Sequence, residues 1–313
     1  MTATTTAPVA APPVRTEQKP PSDRLRAWAT RAPLLPALIF MIAVTQLPFV
    51  ATLVISFFDW NSLYPDARSF TGFGNYTEVL TDAALRKSVW TTILLTVTVV
   101  LASLVLGLGL ALLLDRKFKG RGLVRTLLIA PFLVVPVAAA LLWKHVLYNP
   151  EYGLLNGLLH YVGGPEPDWI SNTPLLAVEM SLIWQWTPFM MLILLAGLQS
   201  RDHAQIEAAK VDGASGWQVF RYLTLPHLRR YLELGALLGS IYIVQNFDAV
   251  FTITSGGLGT ANLPYTVYQS FYQAHENGLA SAAGVLVVIG SIIIATFALR
   301  VVSSLFREEV SRA

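Results

Sequence analysis

Few residues in this chain are able to do chemistry, and most of them lie inside apolar runs. One run carries Trp184, Gln185, Trp186 and Phe189. Gln185 and Phe189 are four apart and share a helical face, with Trp186 beside them. A second run carries Ser240, Tyr242, Gln245, Asn246 and Asp248, and Gly239, Tyr242 and Asn246 form an i, i+3, i+7 stripe along a helix there. Aromatic rings stack on the apolar face of a sugar or polyol while amides bond its hydroxyls. Gln185, Trp186, Phe189, Ser240, Tyr242, Gln245 and Asn246 are therefore the candidates to line a path for a polar solute. The same residue types anchor helices at membrane interfaces and join helix to helix, so each candidate also has a structural role open to it.

Covalent chemistry has little to work with. The chain has no cysteine, which removes disulfides, thiol nucleophiles and cysteine-ligated metals. It has no G-x-x-x-x-G-K-[ST] phosphate loop, no H-E-x-x-H and no G-x-S-x-G. Glu179 falls near the start of its apolar run, outside the hydrocarbon, and Asp248 near the far end of its own. Lys144-His145 close another run and read as an interfacial pair, not a metal site. No catalytic residue, metal or cofactor is expected in this chain.

The elements that must position these residues are membrane spans. Of 313 residues 54% are hydrophobic and 13% charged, where a soluble domain would carry about a quarter charged. The fold class is an all-α polytopic membrane protein with six transmembrane helices. The apolar segments run approximately over residues 34–58, 89–114, 123–147, 175–199, 232–254 and 278–305, each long enough for the roughly 20 residues that a span needs. Pro131 and Pro136 predict a kink in the third. Residues 1–31, rich in Thr, Ala and Pro, lack the apolar stretch of a signal peptide and read as a disordered tail. Residues 32–306 form the membrane domain and 307–313 a short terminal tail.

Charge orients the spans. Arg15, Lys19, Arg24, Arg26 and Arg31 lie in the tail, and Arg116, Lys117, Lys119, Arg121 and Arg125 follow the second segment. Arg201, Lys210, Arg221, Arg229 and Arg230 lie between the fourth and fifth, and Arg300, Arg307 and Arg312 at the C-terminus. The opposite side has Arg68, Arg86 and Lys87, with Lys144 at the end of the third segment. Both termini and the stretch 200–226 are thus expected on the cytoplasmic face of the plasma membrane. The pI near 9.1 is accounted for by this asymmetry, and no nucleic-acid partner is inferred.

The polar stretch SRDHAQIEAAKVDGASGWQVFRYLTLP, residues 200–226, stands between two apolar runs. Asp202 is followed three residues on by Gln205, and Ser215 by Gln218, both in the pattern of a capping box. Gly213 lies between, where a left-handed residue commonly ends a helix. Two short helices are predicted, roughly 202–212 and 215–223, bent at Gly213-Ala214. Leu225-Pro226 is expected to close the motif, because proline cannot continue a regular helix.

Glu207-Ala208-Ala209, Asp212-Gly213-Ala214, Phe220 and Leu225-Pro226 resemble the EAA loop of the permease subunits of ABC-type importers. Where that family often has proline, this chain has Asp202 and Arg230. Gly72-Phe73-Gly74-Asn75-Tyr76, Gly153 with Asn156, and Asp168-Trp169 are similar to its external loops. Phe247-Asp248 and Thr254-Ser255-Gly256-Gly257 resemble a pattern of its carbohydrate-importing, maltose-permease-like branch, with Leu258 where proline is usual. The resemblance spans roughly residues 34–305 and implies a type I ABC importer permease fold. It implies that Glu207, Ala208, Ala209, Asp212, Gly213, Leu225 and Pro226 couple the chain to a separate ATPase. It further implies a second permease subunit in a heterodimer, two ATPase subunits or domains holding ATP and Mg, and an extracytoplasmic solute-binding protein. The fourth and fifth spans would line the path for a sugar, oligosaccharide or polyol. Two alternatives stay open: glycerol-phosphate uptake with Lys144 facing the pore, and an ion-coupled secondary transporter or channel using Asp248 or Glu179 without an ATPase.

Overall fold

The computed structural model describes residues 32–310; the expected N-terminal tail and residues 311–313 lie outside the described residues. The chain divides into two units between Ala51 and Thr52. The first holds a 3-10 turn, Ala32–Leu34, and most of the first span, Leu35–Ile55, a helix with no buried residue. It is apolar on every side, as suits a helix with no aqueous face.

In the second unit the chain leaves the first span through a two-stranded antiparallel ribbon, with Phe58 opposite Phe70 and Asp59 opposite Ser69. Asn75 ties it down, its amide donating to the carbonyls of Ser56 (2.8 Å) and Phe58 (2.9 Å). Asn75 is 7% exposed, so its role here is structural. The second span, Ala83–Asp115, starts at an Asp82 cap that accepts from the Leu85 amide. It begins six residues before the apolar run because polar residues at its N-terminus continue the helix.

The third span breaks. Arg121–Leu133 and Pro136–Leu147 meet at 100°. Val135 precedes Pro136 and is therefore held extended, at φ −57°, ψ 134°, and Val134 is extended with it. The second half ends in a π turn, Trp143–Leu147. The fourth span, Pro174–Gln199, is unbroken despite Pro188.

The fifth departs from expectation at both ends. Its helix starts at Gly216 and runs to Val244, then breaks and resumes as Asp248–Thr254 at 50°. Leu225-Pro226 therefore does not close the loop. A π turn over Phe220–Thr224 precedes the proline and shifts the hydrogen-bond register so that the missing N–H falls where no donor is needed. The sixth span's helix is Asn277–Val310, running past the expected boundary at 306.

The second and fourth spans pack most extensively, with the fifth across both. Thr98 meets Glu179, and Gly107 meets Met190 and Met191, so the second and fourth run parallel. Around them Leu95, Val99, Leu194, Leu198, Leu228 and Ile243 are buried. Glys on this seam do distinct jobs. A Cβ on Gly107 would sit 2.9 Å from both Met190 Cβ and the Met191 backbone nitrogen, whereas one on Gly109 meets nothing within 4 Å. Gly107→Ala should destabilise the purified protein by about 1–3 kcal/mol through overpacking against backbone that cannot yield. Gly109→Ala, two residues away, should be neutral or slightly stabilising. Thermal unfolding in detergent compares the two, and equal midpoints would contradict the packing described.

Candidate functional site

Two regions bring together the residues singled out from the sequence. The first is the stretch 200–226. Its first helix, His203–Val211, is capped by Asp202, whose carboxylate accepts the Ala204 amide at 2.9 Å. It ends in a Schellman motif: Ala214 N–H donates to Ala209 C=O (2.9 Å) and Gly213 N–H to Lys210 C=O (3.1 Å). Gly213 has φ +84°, a conformation that costs a non-glycine residue roughly 1–2 kcal/mol. The next helix starts at Ser215 with a complete capping box, Ser215 Oγ accepting from Gln218 N and Gln218 Oε1 from Ser215 N. The bend expected at Gly213-Ala214 is present and is built by backbone hydrogen bonds.

Glu207, Ala208, Asp212, Gly213 and Pro226 are exposed, and Ala209 and Leu225 half-buried. Three apolar side chains that the sequence reading passed over stand out beside them: Val211 is 88% exposed, and Trp217 and Tyr222 are 70% each. A cleft of about 400 Å³ between the two helices is lined by Asp212, Gly213, Gln218 and Tyr222. The pattern of a polar linker hid these residues. Large apolar side chains in a segment with no hydrocarbon to face were the available signal.

The second region is an aromatic cluster on the fourth and fifth spans. Trp186 lies 5.8 Å from Phe189 and 5.1 Å from Tyr242, centroid to centroid. Phe132, at the broken end of the third span's first half, joins them at 5.7 Å from Trp186 and 5.3 Å from Phe189. Tyr242 is 54% exposed, and Trp186, Phe189 and Phe132 are half-buried. Trp186, Phe189 and Tyr242 thus come together as a platform, with Phe132 added. The signal for Phe132 was its place between Pro131 and Pro136.

The polar candidates divide differently. Gln185 is 7% exposed and its amide donates to the Val134 carbonyl at 3.1 Å, the group that the third span's break leaves without a helical partner. Ser240 is buried and bonds its own helix at Ala236 O. Gln245 caps the helix end and is exposed. Asn246 falls in the break, not on the helix, so the stripe of Gly239, Tyr242 and Asn246 does not form. Its backbone carbonyl accepts from Asn262 Nδ2 at 2.6 Å. Its side-chain Oδ1 is one of four buried polar atoms without a hydrogen-bond partner among the described residues.

The charged residues also have definite places. Glu179 is the sixth residue of the fourth span's helix, half-buried, and accepts from Thr98 Oγ1 at 2.6 Å. Lys144 sits in the π turn and donates to Thr252 C=O at 2.8 Å, placing a cation at the C-terminal end of Asp248–Thr254, where the helix dipole favours it. Between the third and fourth spans, Trp169 Nε1 donates to Asn156 Oδ1 at 2.7 Å. Asp168 caps the turn that follows. The Ser171 hydroxyl, with the Ser171 and Ile170 amides, holds the Asp168 carboxyl below the usual range.

This architecture, of apolar helices, two of them broken by bends, around an aromatic platform and joined by an exposed two-helix loop, is that of an integral-membrane permease. A family model described as "Binding-protein-dependent transport system inner membrane component" matches residues 103–308, and the chain belongs to that family. Among similar proteins is the trehalose/maltose transport system permease protein MalF of Thermococcus litoralis, 32% identical over 82% of this chain and 87% of its own. Another is the trehalose transport system permease protein SugA of Mycobacterium tuberculosis, 33% identical over 80% of this chain and 81% of its own. In fold the chain is similar to a chain of a bacterial alginate ABC transporter solved with an alginate pentasaccharide-bound periplasmic protein. The TM-score is 0.77, with 21% identity, over 91% of this chain and 97% of that one. The fold is the type I importer permease fold, and the family is a transport component without its own ATPase site.

Gln185 separates bracing from solute contact. Gln185→Leu strands the Val134 carbonyl inside the membrane and should cost about 1–3 kcal/mol of stability. Tyr242→Ala, at an exposed ring, should leave the unfolding midpoint within a degree or two. A Gln185→Leu protein as stable as the parent would show that the brace contributes nothing.

Proposed function

We infer that this chain forms half of the pore of an ATP-driven importer for a sugar, oligosaccharide or polyol. In this reading residues 200–226 dock on a separate ATPase subunit. The observation that carries it is the exposed apolar trio Val211, Trp217 and Tyr222 around Glu207, Asp212 and Gly213. Aromatic side chains of this kind anchor interfaces, and the two capped helices present them on a preformed scaffold. The second pore-forming subunit is a different permease chain, and two ATPase subunits or domains hold ATP and Mg. An extracytoplasmic binding protein delivers the solute. The arginine and lysine distribution supports a topology with both termini and this loop in the cytoplasm.

A hydroxyl-rich cargo suits the platform of Phe132, Trp186, Phe189 and Tyr242, with the unpartnered Asn246 Oδ1 on the neighbouring break. The relatives described as trehalose or maltose permeases support the same class. Glycerol-phosphate is less favoured, because the Lys144 ammonium is engaged at the Thr252 carbonyl. Family membership sets aside the self-sufficient secondary transporter.

Coupling is tested with the whole complex. Glu207→Lys, Gly213→Asp and Trp217→Ala should each leave the permease inserted while cutting co-purification of the ATPase and uptake at least tenfold. Normal uptake in all three would sink this role for the loop. For the cargo, Trp186→Ala and Tyr242→Ala should lower uptake of radiolabelled trehalose or maltose at least tenfold with the ATPase still bound. Undiminished uptake would remove the platform from the path.

A further inference from the structure

At the loop's attachment to the bundle, one side chain that none of the motifs includes joins three elements. Arg201 follows the fourth span and is 12% exposed. Its three nitrogens reach three elements. Nε donates to Leu198 C=O at 2.9 Å, on the last turn of the fourth span. Nη1 donates to Thr224 Oγ1 at 2.8 Å, in the π turn at the root of the fifth span. Nη2 donates to Asp115 Oδ2 at 2.5 Å, at the end of the second. Thr224 is 2% exposed, and the Asp115 side chain 24%, so the cluster is largely withdrawn from solvent.

The chemistry favours this arrangement specifically. A carboxylate at a helix C-terminus faces the negative end of the macrodipole, so Asp115 needs a cation. A planar guanidinium serves several acceptors at once in a way that an ammonium does not. Beside it Ser200 Oγ contacts His227 Nε2 (3.1 Å) and Tyr231 OH (2.8 Å). Gly197 supplies the notch: a Cβ there would sit 2.6 Å from the Tyr231 ring. The exposed loop helices therefore leave the bundle from a root in which the ends of the second and fourth spans and the start of the fifth are fastened together.

We propose that Arg201 is a positioning residue, a clamp that makes the loop ends of the second, fourth and fifth spans move as one body when the loop is displaced. This rests on the reading of the loop as the ATPase contact, and the test separates the two. Because the chain has no cysteine, spin labels can be placed without background. One pair, Lys117→Cys with Arg230→Cys, reports on the root. A second, Tyr161→Cys with Tyr272→Cys, reports on the opposite end of the bundle. All four positions are exposed. Both are measured in the intact complex with its partner permease and ATPase, with and without a non-hydrolysable ATP analogue and Mg.

In the parent the nucleotide shifts the far pair while the root pair keeps one narrow distance. In Arg201→Ala the root distribution broadens about twofold and the far shift falls at least twofold, with the ATPase still bound. Asp115→Asn, a milder change for use where Arg201→Ala does not fold, shows the same direction. The double variant is no worse than Arg201→Ala, and Arg201→Lys rescues only in part. A far shift that survives both Arg201→Ala and Asp115→Asn at full size overturns the clamp alone. Absence of any nucleotide-driven shift in the parent overturns the coupling role and the clamp together.

Discussion

A carbonyl released from a helix inside a membrane has no water to bond, so each break must be answered by a side chain from elsewhere in the fold. This chain breaks two of its spans, and that requirement organises much of its interior. The break at Val134-Val135 is met by Gln185 of the fourth span. The break at Gln245–Phe247 is met by Asn262, whose amide donates to Asn246 C=O while its own Oδ1 accepts from Tyr265 and starts the next helix. The end of the short helix beyond that break is met by Lys144. Polar side chains scattered along apolar runs are thus largely the complement of the bends.

This requirement explains what could be read from the sequence and what could not. Apolar length and charge asymmetry locate the spans, because hydrocarbon thickness and insertion act on composition. Ser215, Gln218 and Gly213 announce the loop's bend because capping and left-handed geometry are local. The break after Leu133 is local too, since Pro136 constrains its predecessor. The partner of that break is not local: Gln185 lies 51 residues away, and its amide looks alike in sequence whether it braces a carbonyl or faces a solute. Pro226 misled for the opposite reason. Proline forbids a regular helix, but a π turn just before it lets the helix continue, and no residue of Phe220–Thr224 marks that turn.

Asn246 and Tyr242 show the division most clearly. As members of one helical stripe they would face the same way, but the break separates them. Tyr242 stays on the helix with Trp186, while Asn246 is turned by the loss of helical geometry and keeps an unpartnered Oδ1. Buried carbonyls of this kind are uncommon because their desolvation is uncompensated. The bend thus leaves a buried acceptor without a partner at the break, while Tyr242 keeps an exposed ring against Trp186.

The distribution of rigid and broken helix has a mechanical consequence. From Gly216 to Val244 the fifth span is continuous through Pro226, and at 1.5 Å per residue it is roughly 40 Å long, more than the ~30 Å hydrocarbon thickness. A displacement of its loop end would therefore be carried without loss as far as Tyr242, and the first compliant point is the break that follows. The compliant point of the third span, at Val134, is likewise held by the fourth span at Gln185, one residue from Trp186. Both bends thus lie beside the aromatic platform, and the region between platform and loop is stiff. In the function proposed above, motion entering at the loop is delivered where the helices can bend, beside the aromatic platform.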